Sequence, residues 1–238
     1  MGVAHSGAAD GPIAILVDDD ASVRDALEEL LLSVGVESIK FSSAQEFLDA
    51  KLPDRPGCLV LDVRMPGLSG IDLQHLLTSK GISIPIVFLT GHGDIAMSVQ
   101  AMKAGAVDFL TKPVRDQTFL DAVSAAIAAD AARRVASTQS AKSVTLYETL
   151  TARERQVLHF VISGAVNKQI AFDLGISEIT VKLHRSNMMK KLHASSITHL
   201  FSVWQSLPAD IKALPVEDPG PAAKRAGSQP VARASSPV

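Results

Sequence analysis

The chain lacks the features that mark cysteine-rich, secreted or membrane-spanning proteins. It contains one cysteine, Cys58, in 238 residues, which excludes an intrachain disulfide and a cysteine-rich metal site. We expect this thiol to pack as a small hydrophobic group within the apolar run CLVLD. No apolar stretch approaches the roughly 20 residues of a membrane span, and the N-terminus lacks the parts of a signal peptide. The expected location is the cytoplasm, without membrane contact.

Charge is unevenly distributed along the chain. Residues 1–148 carry a formal charge of −7, residues 149–207 carry +4, and residues 208–238 carry +1. An acidic part joined to a basic part predicts two domains, the second with an anionic partner such as nucleic acid.

The acidic part alternates short apolar runs with amphipathic segments. The candidate strands are residues 13–17, 36–41, 58–62, 85–90 and 107–110. After the first strand, an apolar stripe at helical spacing predicts a helix that ends at Gly35. The stripe consists of Val23, Ala26, Leu27, Leu30, Leu31 and Val34. Runs such as CLVL and IPIVFL are apolar on both faces, which is typical of parallel strands between two helical layers. The pattern predicts a doubly wound α/β domain with five (βα) units.

Composition sets the remaining boundaries. The predicted segments are an N-terminal extension (1–11), the (βα)5 domain (12–130), a helical linker rich in Ala, Ser and Arg (131–148), a small all-α domain (149–207) and a disordered tail rich in Pro and Ala (208–238).

Chemically active side chains follow the predicted strands. Asp18, Asp19 and Asp20 end the first strand, Asp62 ends the third, Thr90 ends the fourth, and Lys112 follows the fifth. Ligands of such sheets bind beyond the carboxyl ends of the strands, so these groups should form one acidic pocket. A lone aspartate at a strand end is more often a helix N-cap, and we favour that role for Asp20 and Asp94.

Three adjacent aspartates repel one another unless a cation joins them. Several carboxylates with one backbone carbonyl and water suit Mg²⁺. In such a pocket Asp62 can act as a nucleophile toward a phosphoryl group, while the metal and Lys112 neutralise charge and Thr90 bonds one oxygen.

The basic part has helix-turn-helix spacing. One helix is predicted from Glu154 to Ser163 and a second from Asn167 to Leu174; Gly175 makes the turn, and Ser177 caps a third helix. On this third helix one predicted stripe faces inward and comprises Val181, His184, Met188 and Leu192. The outward stripe comprises Lys182, Arg185, Ser186 and Met189. A positive outward face is often only a solvated surface, but the turn, the local charge and the partner domain favour DNA.

The motifs VDDD, LDVRMPGLSG, FLTGHGD and AGAVDFLTKP resemble the receiver domain of bacterial two-component response regulators, and TGHGD is similar to the FixJ/StyR type. The resemblance covers residues 12 to about 130. It implies that Asp62 is the phosphoacceptor and that Asp19, Asp62 and the Arg64 carbonyl bind Mg²⁺, with Asp18 assisting through water. It also implies that Thr90 and Phe109 form a switch pair and that Lys112 is the counter-ion of the phosphate.

The motifs LTARERQVL, NKQIA and TVKLHRSNMMKKL resemble the LuxR/NarL-type helix-turn-helix over residues 149–207. The resemblance implies two groups of DNA contacts. Lys182, Leu183 and Ser186 would approach base edges, and Asn167, Lys168, Thr180 and Arg185 would hold phosphates.

Together these features predict a phosphorylation-dependent transcriptional regulator that accepts a phosphoryl group from a histidine kinase and binds double-stranded promoter DNA. The protein is not expected to be an enzyme beyond assisting its own phosphorylation and dephosphorylation. RNA polymerase is a further candidate partner.

Phosphorylation is expected to produce a homodimer through residues 95–110. The small residues Ala101, Ala104, Gly105 and Ala106 would let two backbones approach there, although they could instead pack helix on sheet.

Two alternatives stay open. An aspartyl-nucleophile phosphatase would use a D-x-D pair, whose spacing Asp18 and Asp20 share, but it also needs a cap insert that this chain lacks. A pseudo-receiver would act unphosphorylated through protein contacts alone, and the complete Asp, Thr and Lys set argues against it.

Overall fold

The structure, a computed structural model, describes residues 11–91 and 95–213. The chain divides into two compact units between Ser137 and Thr138. The elements of the first unit are β1 (Ile13–Val17), α1 (Ala21–Ser33), β2 (Glu37–Phe41), α2 (Ala44–Asp49), β3 (Gly57–Leu61), α3 (Gly70–Ser79), β4 (Ile86–Thr90), α4 (Ile95–Lys103), β5 (Asp108–Thr111) and the first part of α5 (Asp116–Glu148). The predicted Asp94 cap lies outside the described residues. So do residues 1–10 of the predicted N-terminal extension and residues 214–238 of the predicted tail.

The five strands form one sheet in the order β2-β1-β3-β4-β5, and every neighbouring pair is parallel. Successive side chains alternate between two apolar layers: Leu61 and Phe88 belong to one layer, and Val60 and Leu89 belong to the other. The predicted doubly wound fold is confirmed, and all five predicted strands are present within one residue of their predicted ends. Cys58 is fully buried on β3, as expected.

Only part of the apolar stripe predicted for α1 is buried. Leu27 and Leu31 are buried, but Ala26 is exposed and Val34 is 53% exposed. Val34 is the C-cap residue, beyond the last helical turn that packs on the sheet. At the other end, the Asp20 carboxylate accepts a hydrogen bond from the Ser22 N–H, which confirms its N-cap role.

Helix α5 runs without a break for 33 residues, so the segment predicted as a linker is its second half. Near the end of the first unit, the buried Asp130 accepts hydrogen bonds from the Gly57 N–H (3.1 Å) and from Arg133 and Arg134. Within residues 11–91 and 95–213, no helix combines the length and apolar character that a bilayer crossing requires.

The second unit is all α-helical. It holds the end of α5 together with α6 (Ala152–Ile162), α7 (Asn167–Leu174), α8 (Glu178–Lys191), α9 (Ile197–Ser206) and α10 (Ala209–Ala213). Its α6 begins two residues before the predicted start because Thr151 and Glu154 form a capping box. The prediction of disorder from residue 208 is wrong for α10, where Ile211 packs against the domain core. Residues 214–238 lie outside the described part of the chain.

Candidate functional site

The carboxyl ends of four strands bring the predicted site residues together. Strand register pairs Val17 with Leu61, so Asp18 and Asp62 follow neighbouring positions, and the Asp62 N–H donates to the Val17 carbonyl (2.9 Å). On the other side, the Lys112 N–H donates to the Thr90 carbonyl (2.8 Å). We call Asp18, Asp19, Asp62, Thr90 and Lys112 the acidic pocket.

The acidic pocket is largely buried and internally bonded. Asp18, Asp62 and Thr90 are 4%, 8% and 1% exposed, whereas Asp19 is open to solvent. The Lys112 ammonium lies 2.5 Å from one Asp18 oxygen, and the other Asp18 oxygen accepts from the Asp20 N–H (3.0 Å). Both oxygens of Asp18 are therefore already in hydrogen bonds.

Asp62 sits where a carboxylate is costly to ionise. Burial raises the pKa of its carboxyl above the ordinary value, and the Asp18 carboxylate adds to the increase. The Lys112 ammonium and a hydrogen bond from the Thr90 side chain lower this pKa without cancelling the effect of burial. One oxygen is held by the Val63 N–H (2.9 Å). Additional positive charge in the pocket would favour the ionised form.

Three carboxylates of the pocket fit a divalent cation. One oxygen from each of Asp18, Asp19 and Asp62 lies within 4.8 Å of the others. Because Mg–O distances are 2.0–2.1 Å, opposite ligands of Mg²⁺ are about 4.2 Å apart, so only small movements would gather this set. Hard oxygen donors are also the type that Mg²⁺ prefers.

The loop after β3 approaches the pocket closely. Gly70 begins α3, and a Cβ at this position would lie 2.2 Å from the Asp62 carbonyl oxygen, so only glycine fits. Arg64 is exposed in this loop. Asp19 and Arg64 line an open cleft of about 780 Å³ between the loop and the first turns of α4.

Phe109 shares one face of the sheet with Thr90. Register pairs Phe88 with Phe109, and Thr90 lies two residues beyond Phe88, on the same side of β4. Phe109 is half-buried, with its ring centroid 5.9 Å from that of Phe88. The residues proposed as a switch pair therefore border one packed layer.

The expected dimer face needs a correction. Ala101 on α4 and Ala106 in the connection to β5 are buried inside the domain (0% and 7% exposed), so neither can contact a second backbone. α4 carries an exposed apolar stripe instead: Ile95, Val99 and Met102 are 84%, 45% and 45% exposed and are spaced along one side of the helix.

The second unit contains the predicted helix-turn-helix. Gly175, with φ of +63°, ends α7 in the left-handed conformation, and the Ser177 side chain caps α8. Val181, Met188 and Leu192 are buried as predicted, and His184 is half-buried. Met189 is not outward as predicted; it is partly buried against the same core, because it lies at the edge of the apolar stripe.

The predicted DNA-contacting residues fall into two groups. Lys168, Lys182, Leu183 and Ser186 are exposed. Three others make contacts within the domain: the Arg185 guanidinium donates to Asn167 Oδ1 (3.0 Å), and the hydroxyls of Thr180 and Ser177 lie 2.8 Å apart. A further exposed residue of α8, absent from the predicted DNA contacts, is Ile179, at 79% exposure. Helical spacing from Leu183 could have identified it.

Comparison with known proteins covers both units. Residues 14–124 match the family described as response regulator receiver domain, and residues 148–204 match bacterial regulatory proteins, luxR family. Nodulation protein W of Bradyrhizobium diazoefficiens is 50% identical over 85% of this chain and 89% of its own length. Transcriptional regulatory protein FixJ of Azorhizobium caulinodans is 42% identical over 78% of this chain and 88% of its own length. The solved structure of response regulator StyR has a TM-score of 0.71 and 49% identity, over 82% of this chain and 98% of that one.

Proposed function

The chain belongs to the response regulators that join a receiver domain to a LuxR-type DNA-binding domain, and on that premise we propose that Asp62 is its phosphoacceptor. Such a protein regulates transcription in response to phosphorylation by a histidine kinase. The observation that carries the proposal is the burial of Asp62 beside Asp18, Thr90 and Lys112, at the carboxyl ends of four strands.

The chemistry follows from the side chains of the pocket. An Asp62 oxygen attacks the phosphorus of the donor, the bond from phosphorus to the donor's leaving group breaks, and an acyl phosphate forms. Lys112, now bonded to Asp18, is within reach to pair with the new phosphate, and the Thr90 hydroxyl can donate to one of its oxygens.

Mg²⁺ is the proposed metal, held by Asp19, Asp62 and the Arg64 carbonyl. Asp18 would act through water, because both of its carboxylate oxygens are already in hydrogen bonds. The ion would supply positive charge that offsets the crowding of carboxylates during phosphoryl transfer.

We propose that the chemistry is limited to the chain's own phosphorylation and dephosphorylation. A D-x-D phosphatase would need Asp20 as a second catalytic carboxylate, but Asp20 is exposed and occupied as the N-cap of α1. A phosphorylation-independent pseudo-receiver would not need Asp62, Thr90 and Lys112 arranged around one pocket.

The DNA output is assigned to the helix-turn-helix. Lys182, Leu183 and Ser186 on exposed parts of α8 are proposed to approach base edges. Asn167, Lys168, Thr180 and Arg185 are proposed to hold phosphates, and the N-terminus of α7 has no side-chain cap, which leaves its N–H groups open to an anion.

The remaining proposals concern partners and location. The exposed apolar stripe of Ile95, Val99 and Met102 on α4 supports a phosphorylation-dependent homodimer through residues 95–110, with Thr90 and Phe109 as the switch pair.

A promoter-bound regulator acts through RNA polymerase, so we include RNA polymerase as a proposed partner. A DNA partner also supports a cytoplasmic location. The proposed boundaries are residues 12–130 for the receiver domain, 131–148 for the helical linker and 149–207 for the DNA-binding domain.

Mapping the modified residue tests the central assignment. The full chain is incubated with a small phosphodonor and Mg²⁺, the acyl phosphate is trapped by borohydride reduction, and peptides are identified by mass spectrometry. We expect the label on Asp62 and its loss when a chelator removes the metal. Labelling of another carboxylate, or full labelling with the chelator present, would contradict the proposal.

A further inference from the structure

Four residues share the solvent-facing side of α8. With 100° between successive helical residues, Lys182, Leu183 and Ser186 fall within about 60° of Ile179 around the helix axis. The buried residues Val181 and Met188 lie roughly opposite. We call Ile179, Lys182, Leu183 and Ser186 the reading face.

The reading face combines one cation with two branched apolar side chains. Ile179 and Leu183 are 79% and 58% exposed, and they stand four residues apart, one turn of the helix. Lys182 lies three residues after Ile179, on the same side of the helix, and directly precedes Leu183. Isolated exposed apolar residues are common on protein surfaces, but here two of them occupy the same helix face as the lysine, in a domain whose charge is +4.

The chemistry of this face restricts the bases that it can select. Lysine donates to the acceptors of guanine, while adenine is read by Asn or Gln and cytosine by Asp or Glu. The reading face has none of these four residue types, and the hydroxyl of Ser186 does not select among the bases because it can bond to any of them. The thymine C5-methyl is the apolar group in the major groove, and branched alkyl side chains contact it favourably.

We infer that Ile179 and Leu183 determine specificity by packing against thymine methyl groups, on either side of a guanine read by Lys182. The reading face spans eight residues, and its two ends lie about 10 Å apart along the helix axis, which is the length of about three stacked base pairs. The inference rests on the proposed docking of α8 in the major groove, and it adds Ile179 to the residues that contact bases.

The test removes single methyl groups from the DNA. Site selection from random duplexes with the full chain, phosphorylated by a small phosphodonor with Mg²⁺, first defines the preferred half-site, in which we expect thymine close to the guanine. Each thymine is then replaced by deoxyuridine, which pairs identically but lacks the methyl. For the thymines in contact we expect affinity to fall about fourfold, the equivalent of one buried methyl-sized group.

The variants Ile179→Ala and Leu183→Ala assign each methyl to a side chain. Each variant should bind the thymine and deoxyuridine duplexes equally at one position and keep the fourfold preference at the other. Val135→Ala, which shortens a residue that is 71% exposed on α5, is the control and should keep both preferences.

Two results would overturn the inference while leaving the proposed DNA output intact. One is a selected half-site without thymine, and the other is a deoxyuridine effect of equal size in the parent chain and both alanine variants, because DNA stiffness alone would then explain it. If the full chain selected no sequence at all, the proposed DNA output would fail together with the inference.

Discussion

The acidic pocket and the reading face hold their functional side chains in opposite ways. In the pocket, Asp18, Asp62 and Thr90 are at most 8% exposed, and each has a bonding partner inside the fold. On the reading face, Ile179 and Leu183 are more than half exposed. A buried chemical site depends on the whole sheet for its geometry, whereas an exposed helix face can change its side chains at little cost to folding. We therefore expect the phosphoryl chemistry to be fixed by the fold and DNA specificity to be set by surface residues.

The largest expected effect is at the pocket. Asp62→Asn should abolish labelling by a small phosphodonor, because an amide is neither a phosphoryl acceptor nor an anionic ligand. Asp116→Asn, which changes an exposed aspartate in the first turn of α5, should label as the parent chain does. Full labelling of the Asp62 variant would mean that the chemistry does not depend on this buried site.

The second effect concerns the exposed stripe of α4. Val99→Asp should prevent dimerisation of the phosphorylated full chain at concentrations on the order of tens of micromolar, because two charges would be placed in an apolar contact. Sedimentation with and without phosphodonor measures the change, and labelling of the variant should stay intact. A dimer that forms equally well in the variant would place the contact elsewhere.

The third effect is at the reading face. Lys182→Ala should lower affinity for the selected site about 5- to 150-fold, which corresponds to the loss of one bidentate base contact. The change should leave thermal unfolding unaltered, as expected for an exposed side chain. Lys142→Ala, on the exposed surface of α5, is the matched control for loss of one positive charge. Identical footprints of the Lys182 variant and the parent at equal concentration would mean that Lys182 does not contact DNA.

The smallest effect is on the stability of the second unit. Burial raises the pKa of Glu154, but hydrogen bonds from Lys191 (2.6 Å) and Thr151 bring it below the ordinary value of 4.5. Removing one partner of a buried ion pair lowers the free energy of unfolding by several kcal/mol. Because the Lys191 side chain is 35% exposed, we expect Glu154→Gln to lower it by only about 1–2 kcal/mol at pH 7.

The pH dependence of this pair has a definite sign. A carboxyl whose pKa is lower in the folded state contributes stability above its unfolded pKa, and the contribution disappears as the pH falls through the folded pKa. The difference between the parent chain and Glu154→Gln should therefore be constant above about pH 5 and vanish under more acidic conditions. The fluorescence of Trp204, the only tryptophan, reports unfolding of this unit. A difference that grows on acidification would contradict this account.

Much of the fold and the pocket could be predicted because they follow from local patterns. Apolar runs that end in Asp18, Asp62 and Thr90 indicate both the parallel strands and the edge where their side chains meet. Gly175 and Ser177 likewise mark the turn and the start of α8. In each case the informative residues are adjacent in sequence to the element that they define.

The features that could not be predicted depend on packing between distant segments. The Glu154–Lys191 pair joins residues 37 positions apart, and no spacing rule connects them. Small residues give no sign of which side of a segment meets the sheet, so the predicted dimer contact is wrong for Ala101 on α4 and for Ala106 between α4 and β5, both of which are buried. The prediction that Met189 lies on the outer side of α8 is wrong, because a residue at the border of an apolar stripe can lie on either side, depending on its neighbours.

The central claim is that phosphorylation of Asp62 controls DNA binding by the helix-turn-helix. The most direct measurement is the affinity of the full chain for its selected duplex, with and without a small phosphodonor and Mg²⁺, in the parent and in Asp62→Asn. We predict that the phosphodonor increases the affinity of the parent and leaves that of the variant unchanged. An equal increase in both proteins, or no change in the parent at full labelling, would contradict the claim.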